Sequence, residues 1–329
     1  MPPSHRFTRR TLLGAATALP ILATQAQAQG SFPDRPIRII IPWASGGGPD
    51  VIARLLAEPL RERLGQPVII DNRPGGGSMM GSEAAARATP DGYTLLMTAG
   101  ALAIASSVRR NMGWEPARDL AGVALVAVVP LFVVVRPASP LGSIADLVAL
   151  GRQRGADVTY ATSGIASPPH LIGERIGAEA GKRMTHVPYR GVSQALPDIF
   201  AGTLDFAVLD AVSAAPHMDS GRLRALAING TQRSPTFPAV PTLREAGVPF
   251  DEVGWHAVFA PAATPPAILA RLNAAFVSAL ALPPVREGIR ATGSLSVDPA
   301  PDSPAWTARF RREVTAWGQV ARAANIEIE

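Results

Sequence analysis

Histidine is the side chain best placed to move protons or hold a metal near neutral pH. This chain has five: His5, His170, His186, His217 and His256. None stands in an H-E-x-x-H pair, the spacing that puts two zinc ligands on one helix face. Gly191-Val192-Ser193-Gln194-Ala195 lacks the last glycine of the G-x-S-x-G nucleophile elbow. The stretch from Gly177 to Lys182 is too short for a phosphate-cradling P-loop, and Arg183 stands where that motif needs Ser or Thr. Gly75-Gly76-Gly77-Ser78-Met79-Met80 does not complete the dinucleotide fingerprint. There is no cysteine, which excludes thiolate metal sites, disulfides and a cysteine nucleophile. No catalytic residue, metal-ligand set or cofactor is therefore assigned.

Two loops have instead the chemistry of anion holders. In Ser45-Gly46-Gly47-Gly48-Pro49-Asp50 a strand runs into glycines and then a helix start. Glycines let backbone approach a ligand closely, and unpaired N–H groups at a helix N-terminus attract carboxylate or phosphate. The second is Ala161-Thr162-Ser163-Gly164-Ile165-Ala166-Ser167-Pro168-Pro169-His170, again strand to loop to helix, with hydroxyls added. Each also has a plain structural reading, as a strand–helix turn and as a solvated loop with Ser167 capping a helix.

Such loops need strands that end and helices that begin around them. Pro36–Pro42 is a β-branched run, followed by a helical pattern over Val51–Leu64 that Pro59 should kink or fray. Further strands are expected at Val68–Ile70, Tyr93–Thr98, Leu131–Val135, Val158–Ala161, Thr185–Val187, Phe206–Leu209, Leu223–Ile228 and Val258-Phe259. Helices are expected at Gly81–Arg87, Ile144–Arg154, Pro169–Ala180, Ala267–Leu280 and Pro304–Ala323. Strands alternating with helical patterns indicate α/β architecture with mostly parallel sheets. Two such series imply two similar lobes, and ligands in open α/β sheets sit at the carboxyl ends of strands.

The N-terminus has the layout of an export signal: a basic start, an uncharged run from Thr11 to Thr24, and Ala26-Gln27-Ala28. Arg9 and Arg10, followed by Leu12 and Leu13, partly match the twin-arginine export motif. The run is too short for a membrane span, which needs ~20 residues. Cleavage after Ala28 is expected; it removes three arginines and no acid, lowering the net charge from +5 to +2. The pI of about 10.5 reflects a chain with one lysine and three tyrosines, in which little titrates at alkaline pH. Arginines are scattered and aromatics are 5% of residues, so the pattern is not that of a nucleic-acid binder.

Pro36–Asp50 (PIRIIIPWASGGGPD), Leu64–Gly77 (LGQPVIIDNRPGGG), Thr89–Leu96, Val158–Gly164, His186–Gly191 (HVPYRG), Gly221–Ile228 and Phe259–Pro265 occur in an order and spacing that resemble the Bug-type substrate-binding proteins of tripartite tricarboxylate transporters, over essentially the whole mature chain. The resemblance implies a type 2 periplasmic binding-protein fold: two mixed, mostly parallel sheets flanked by helices and joined by two crossover strands. It implies a signal peptide over 1–28, one lobe from 29–127 and 251–329, and a second from 128–250. It also implies a monomeric periplasmic receptor, not membrane-spanning after cleavage, that binds a small ligand, often a carboxylate, and delivers it to membrane subunits. A receptor feeding a signalling sensor, or a periplasmic enzyme, are the alternatives.

Carried over by residue, the first-lobe ligand loop is Trp43, Ala44, Ser45, Gly46, Gly47, Gly48 and Asp50. The second-lobe loop is Ser163, Gly164, Ile165, Ala166, Ser167 and His170. Thr98, Ala99 and Gly100 match a pocket-lining turn, and Asp210 an acid at the cleft end of a strand. Asp50 has a competing role at the helix dipole, and Asp210 one in holding a neighbouring loop. Pro49 stands where the family commonly has threonine, while Ile165, Ala166, Pro168-Pro169 and Met79-Met80 are further departures. Together they imply a ligand with more apolar body than citrate, such as an aromatic or branched acid.

Overall fold

The structure is a computed structural model that describes residues 32–109 and 112–323. The expected signal segment over 1–28 and its cleavage point lie outside the described residues. The first part of the chain runs β1 (Ile37–Ile41), α1 (Gly48–Leu64), β2 (Val68–Asn72), α2 (Met79–Ala86), β3 (Thr94–Ala99), α3 (Ala101–Val108), α4 (Pro116–Asp119) and β4 (Leu120–Val129). After Pro130 come β5 (Leu131–Val135), α5 (Ile144–Arg154), β6 (Thr159–Thr162), α6 (Pro168–Ala180), β7 (Thr185–Pro188), α7 (Val192–Ala201), β8 (Phe206–Asp210), α8 (Ala211–Asp219) and β9 (Arg224–Ile228). The return passage is β10 (Gly254–Pro261), α9 (Pro266–Leu280), α10 (Pro283–Ala291), β11 (Leu295–Ser296) and α11 (Ser303–Ala323).

These elements build two sheets. One has six strands in the order β11-β4-β10-β3-β1-β2, the other five in the order β7-β6-β8-β5-β9. Both are mixed, giving the two-lobed α/β architecture. The expected parallel majority is not found: four of nine pairings are parallel and five antiparallel. The strands that carry the chain between sheets, β4, β5 and β10, run against all their neighbours. The parallel pairs are those linked by crossover helices, as parallel pairing requires.

Local sequence explains most elements. Ile52, Leu56, Leu60 and Leu64 recur every fourth residue on α1 and are buried, and Gly65 closes the helix in the left-handed conformation. Pro59 does not end α1, which continues through it to Leu64. The ten-residue β4 is buried along almost its whole length. Such a strand lacks the alternation that marks a half-exposed one, and it escapes the sequence reading, as do α3, α4, α7, α8, α10 and β11. The C-terminal helix α11 packs back on the six-stranded sheet, where Trp306 and Phe310 meet Trp255 and Phe259 in an aromatic cluster with centroids 4.7–6.4 Å apart. Among the described residues no single helix is long and apolar enough to cross a membrane.

Candidate functional site

Between the two sheets lies a cavity, part of it open to solvent, whose space unfilled by atoms comes to about 570 Å³ with that open part included. Five strand–helix junctions reach it: β1–α1 and β3–α3 from one lobe, β6–α6, β7–α7 and β8–α8 from the other. Trp43 and Gly47–Pro49 come from the first junction, Ala99–Ala101 from the second, Ser163 and Ser167–Pro169 from the third, Gly191 from the fourth and Asp210 from the fifth. The passages between lobes supply the floor: Val129, Leu131, Gly254, Trp255 and His256. Register fixes this convergence, since His256 pairs with Ala99 and Leu131 with Asp210.

The two lobes meet across this cavity. A side-chain carbon built on Gly48 would lie 2.6 Å from His256 Cε1 and 3.3 Å from Asp210 Oδ1; one on Gly100 would lie 2.8 Å from Pro168 Cγ. Only a glycine lets the lobes approach this closely.

The start of α1 is a usable anion site. No side chain caps it, Pro49 has no N–H, and the Gly48 and Asp50 N–H groups have no acceptor among the described residues. With the positive end of the helix dipole, these donors attract negative charge. The start of α6 differs from the expectation. Its first two residues are prolines, and the His170 N–H is taken by Ser167 Oγ at 3.4 Å. So α6 contributes its dipole and the Ser163 and Ser167 side chains, but no free helical amide.

Asp50 faces away from the cavity. Its carboxylate accepts from Gly46 N–H at 2.9 Å, Arg54 Nε at 3.0 Å and Asn72 Nδ2 at 3.0 Å. Burial pushes its pKa up, but the bonds from Arg54, Gly46 and Asn72 outweigh this and hold it below the usual range. Asp50 thus folds the glycine loop back on itself. Asp210 does line the cavity, and its Oδ1 also accepts from Ser213 N–H at 2.8 Å, capping α8. Burial raises its pKa.

Of the residues expected to hold ligand, Trp43, Gly47, Gly48, Ala99, Gly100, Ser163, Ser167 and Asp210 line this cavity. Gly164 and Ile165 line an adjoining one. Ala44, Ser45, Gly46, Asp50, Thr98, Ala166 and His170 line neither. Ala44 faces Gly191 across the lobes, and Thr98 is buried with an unpartnered hydroxyl. His170 supports the second loop from behind: its Nδ1 accepts from Ala166 N–H at 3.2 Å, holding Ala166 at φ 54°. Behind it, the His170 and His186 rings stack at 3.9 Å, and His186 Nε2 lies 2.6 Å from Thr162 Oγ1.

Sequence reasoning missed His256, Trp255, Leu131, Val129, Gly254 and Gly191. His256 is 2% exposed, its Nδ1 has no protein partner, and burial pushes its pKa down to about 3, so the ring is neutral. A lone histidine in a strand of which only two residues were recognised carried no signal of this. Among the described residues no group of three His, Asp or Glu is arranged to hold a metal.

A family model described as the tripartite tricarboxylate transporter family receptor matches residues 52–326. Protein BugT of Bordetella pertussis is 36% identical over 303 residues, covering 91% of this chain and 92% of that protein. The structure of the periplasmic binding protein BugD superposes with a TM-score of 0.86 at 29% identity, covering 91% of this chain and all of that one. R. palustris Rpa4515 with adipate superposes with a TM-score of 0.84 at 32% identity, covering 90% and 99%.

Proposed function

The chain belongs to the tripartite tricarboxylate transporter receptor family, and from that premise we propose that it captures a small organic acid between its lobes in the periplasm and hands it to the membrane subunits of such a transporter. The observation that carries this reading is the convergence of five helix N-termini on one inter-lobe cavity. Their summed dipoles favour an anion, and the free amides at the start of α1 can bond one. Around them the lining is largely apolar, with Trp43, Pro49, Pro168, Pro169 and Leu131. That combination suits a carboxylate carried on an apolar body.

No bond is made or broken in this reading. The ligand stabilises the closed arrangement of lobes over an open one, by as much as it binds the closed form better. The lobe boundaries at 127/128 and 250/251 belong to the same proposal. They are supported by the chain's passages between sheets at Pro130 and between β9 and β10. Export through the twin-arginine route with cleavage after Ala28 completes it, and a secreted form beginning at Gln29 on N-terminal sequencing tests it.

The decisive experiment is to purify the protein, denature it and identify what it releases by mass spectrometry. An organic acid recovered unchanged supports the receptor reading, whereas turnover of that acid by the native protein overturns it. Co-purification of transporter membrane subunits with the loaded protein supports delivery; capture of a sensor kinase in their place overturns it.

A further inference from the structure

A second cavity, also partly open to solvent and with about 760 Å³ unfilled by atoms when that open part is included, adjoins the first; Trp43 and Ser163 line both. Its lobe 1 wall is the glycine loop Gly75–Gly77, Ser78 and Arg109, and Ile165 and Arg190 face them from lobe 2. We propose that this cavity is an anion subsite, centred on Arg109 and Ser78, that takes the second acidic group of a ligand whose first carboxylate sits at the start of α1. This extends the organic-acid reading and rests on it.

The wall is built to receive negative charge. Arg109 is half-buried and donates through Nη2 to Gly76 O at 2.9 Å, which fixes the guanidinium and leaves most of its five N–H donors uncommitted. Among the described residues no carboxylate pairs with it, and no acidic side chain lines the cavity. Burial lowers its pKa with no neighbouring acid to offset that. Ser78 is 2% exposed and its Oγ has no partner. It precedes α2, so the positive end of that helix lies at the same wall. On the far side, a side-chain carbon on Gly77 would lie 3.5 Å from Arg109 Nη2 and 3.6 Å from Ile165 O. The guanidinium therefore sits at the seam where the lobes touch. A planar fork of donors matches a carboxylate, and Trp43 and Ser163 are the shared wall across which the ligand body would pass.

Adipate and hexanoate have the same chain length and differ in one carboxylate. Titration calorimetry of both acids, with succinate and butyrate as a shorter pair, is run on the wild-type protein and on Arg109→Gln, Arg109→Lys and Ser78→Ala. A charge-assisted contact to this half-buried guanidinium predicts that the diacid binds about tenfold tighter than its monoacid to the wild type. Arg109→Gln brings the two to near equality, Arg109→Lys keeps part of the preference, and Ser78→Ala reduces it. Melting of the unliganded variants near the wild-type temperature shows that the loop still folds. A wild type that binds the monoacid as tightly as the diacid, or an Arg109→Gln variant that keeps the full preference, overturns the subsite and leaves the organic-acid reading standing. Failure of the wild type to bind any of the four acids overturns the subsite, whereas the organic-acid reading falls only if the denatured protein releases no organic acid.

Discussion

Gly48 shows how one atom governs closure. A methyl group there would sit inside contact distance of His256, which is buried and held in β10, and close to Asp210 in the opposing lobe. Gly48 and His256 belong to the same lobe, so Gly48→Ala should strain that contact in the open and closed forms alike and lower the unliganded melting temperature, while the added approach to Asp210 arises only on closure and should shrink ligand-induced stabilisation in a thermal-shift assay further. His186 supplies a pH test. Burial, reinforced by the neighbouring His170, pushes its pKa from 6.5 down to about 3. The unfolded chain takes up a proton near 6.5, but the folded one does not until about 3. Its contribution to stability is therefore complete above pH 6.5 and falls as the pH drops toward 3. His256 has the same sign, and the raised pKa of Asp210 the opposite one. Denaturation of His186→Gln between pH 6.5 and 4 should show a slope shallower than wild type by close to one proton, with the His256 share remaining.

At the scale of elements, the two loops expected to hold ligand are themselves held by different means. The first is folded by Asp50, whose carboxylate ties Gly46, Arg54 and Asn72 together. The second is held by Ser167, which accepts from His170 N–H and donates to Gly164 O at 2.7 Å. Ser167→Ala removes a helix cap and should cost about 1 kcal/mol in chemical denaturation, with a loss of ligand affinity beyond that because Ser163 is no longer placed. Strand–helix junctions of this kind were legible from glycine and hydroxyl residues following β-branched runs, so both loops were found. The helices α3 and α8 were not expected, although the family resemblance named Thr98–Gly100 and Asp210 immediately before them. Their sequences, Ala101–Val108 and Ala211–Asp219, are short and weakly amphipathic, and a helix so short takes its stability from packing.

The whole molecule turns on the two passages between lobes. Asn229 joins them: its Oδ1 accepts from Leu131 N–H at 2.7 Å, its own N–H donates to Leu131 O at 3.0 Å, and its Nδ2 donates to Glu252 O. Asn229→Ala leaves a buried N–H and a carbonyl without their partners and should destabilise the protein by about 1–3 kcal/mol, read by denaturant melts. Trp43 and Trp255 are the two of five tryptophans that line the cavity. Ligand should change intrinsic fluorescence, and Trp43→Phe should remove most of the change, leaving a residue from Trp255; an unaltered signal would place Trp43 outside the binding event.

Residue types and order sufficed for the two-lobed α/β class, the family, the glycine loop of lobe 1 and the lack of a recognisable catalytic motif, because those properties are written in local patterns of β-branched runs, glycines and helix starts. The tertiary structure decided the rest. It set Asp50 and His170 apart from the cavity lining, because Gly46, Arg54 and Asn72 engage the one and Ala166 the other. It also brought His256, Leu131 and Arg109 to the cleft, because only strand register and lobe contact determine which distant residues share one wall.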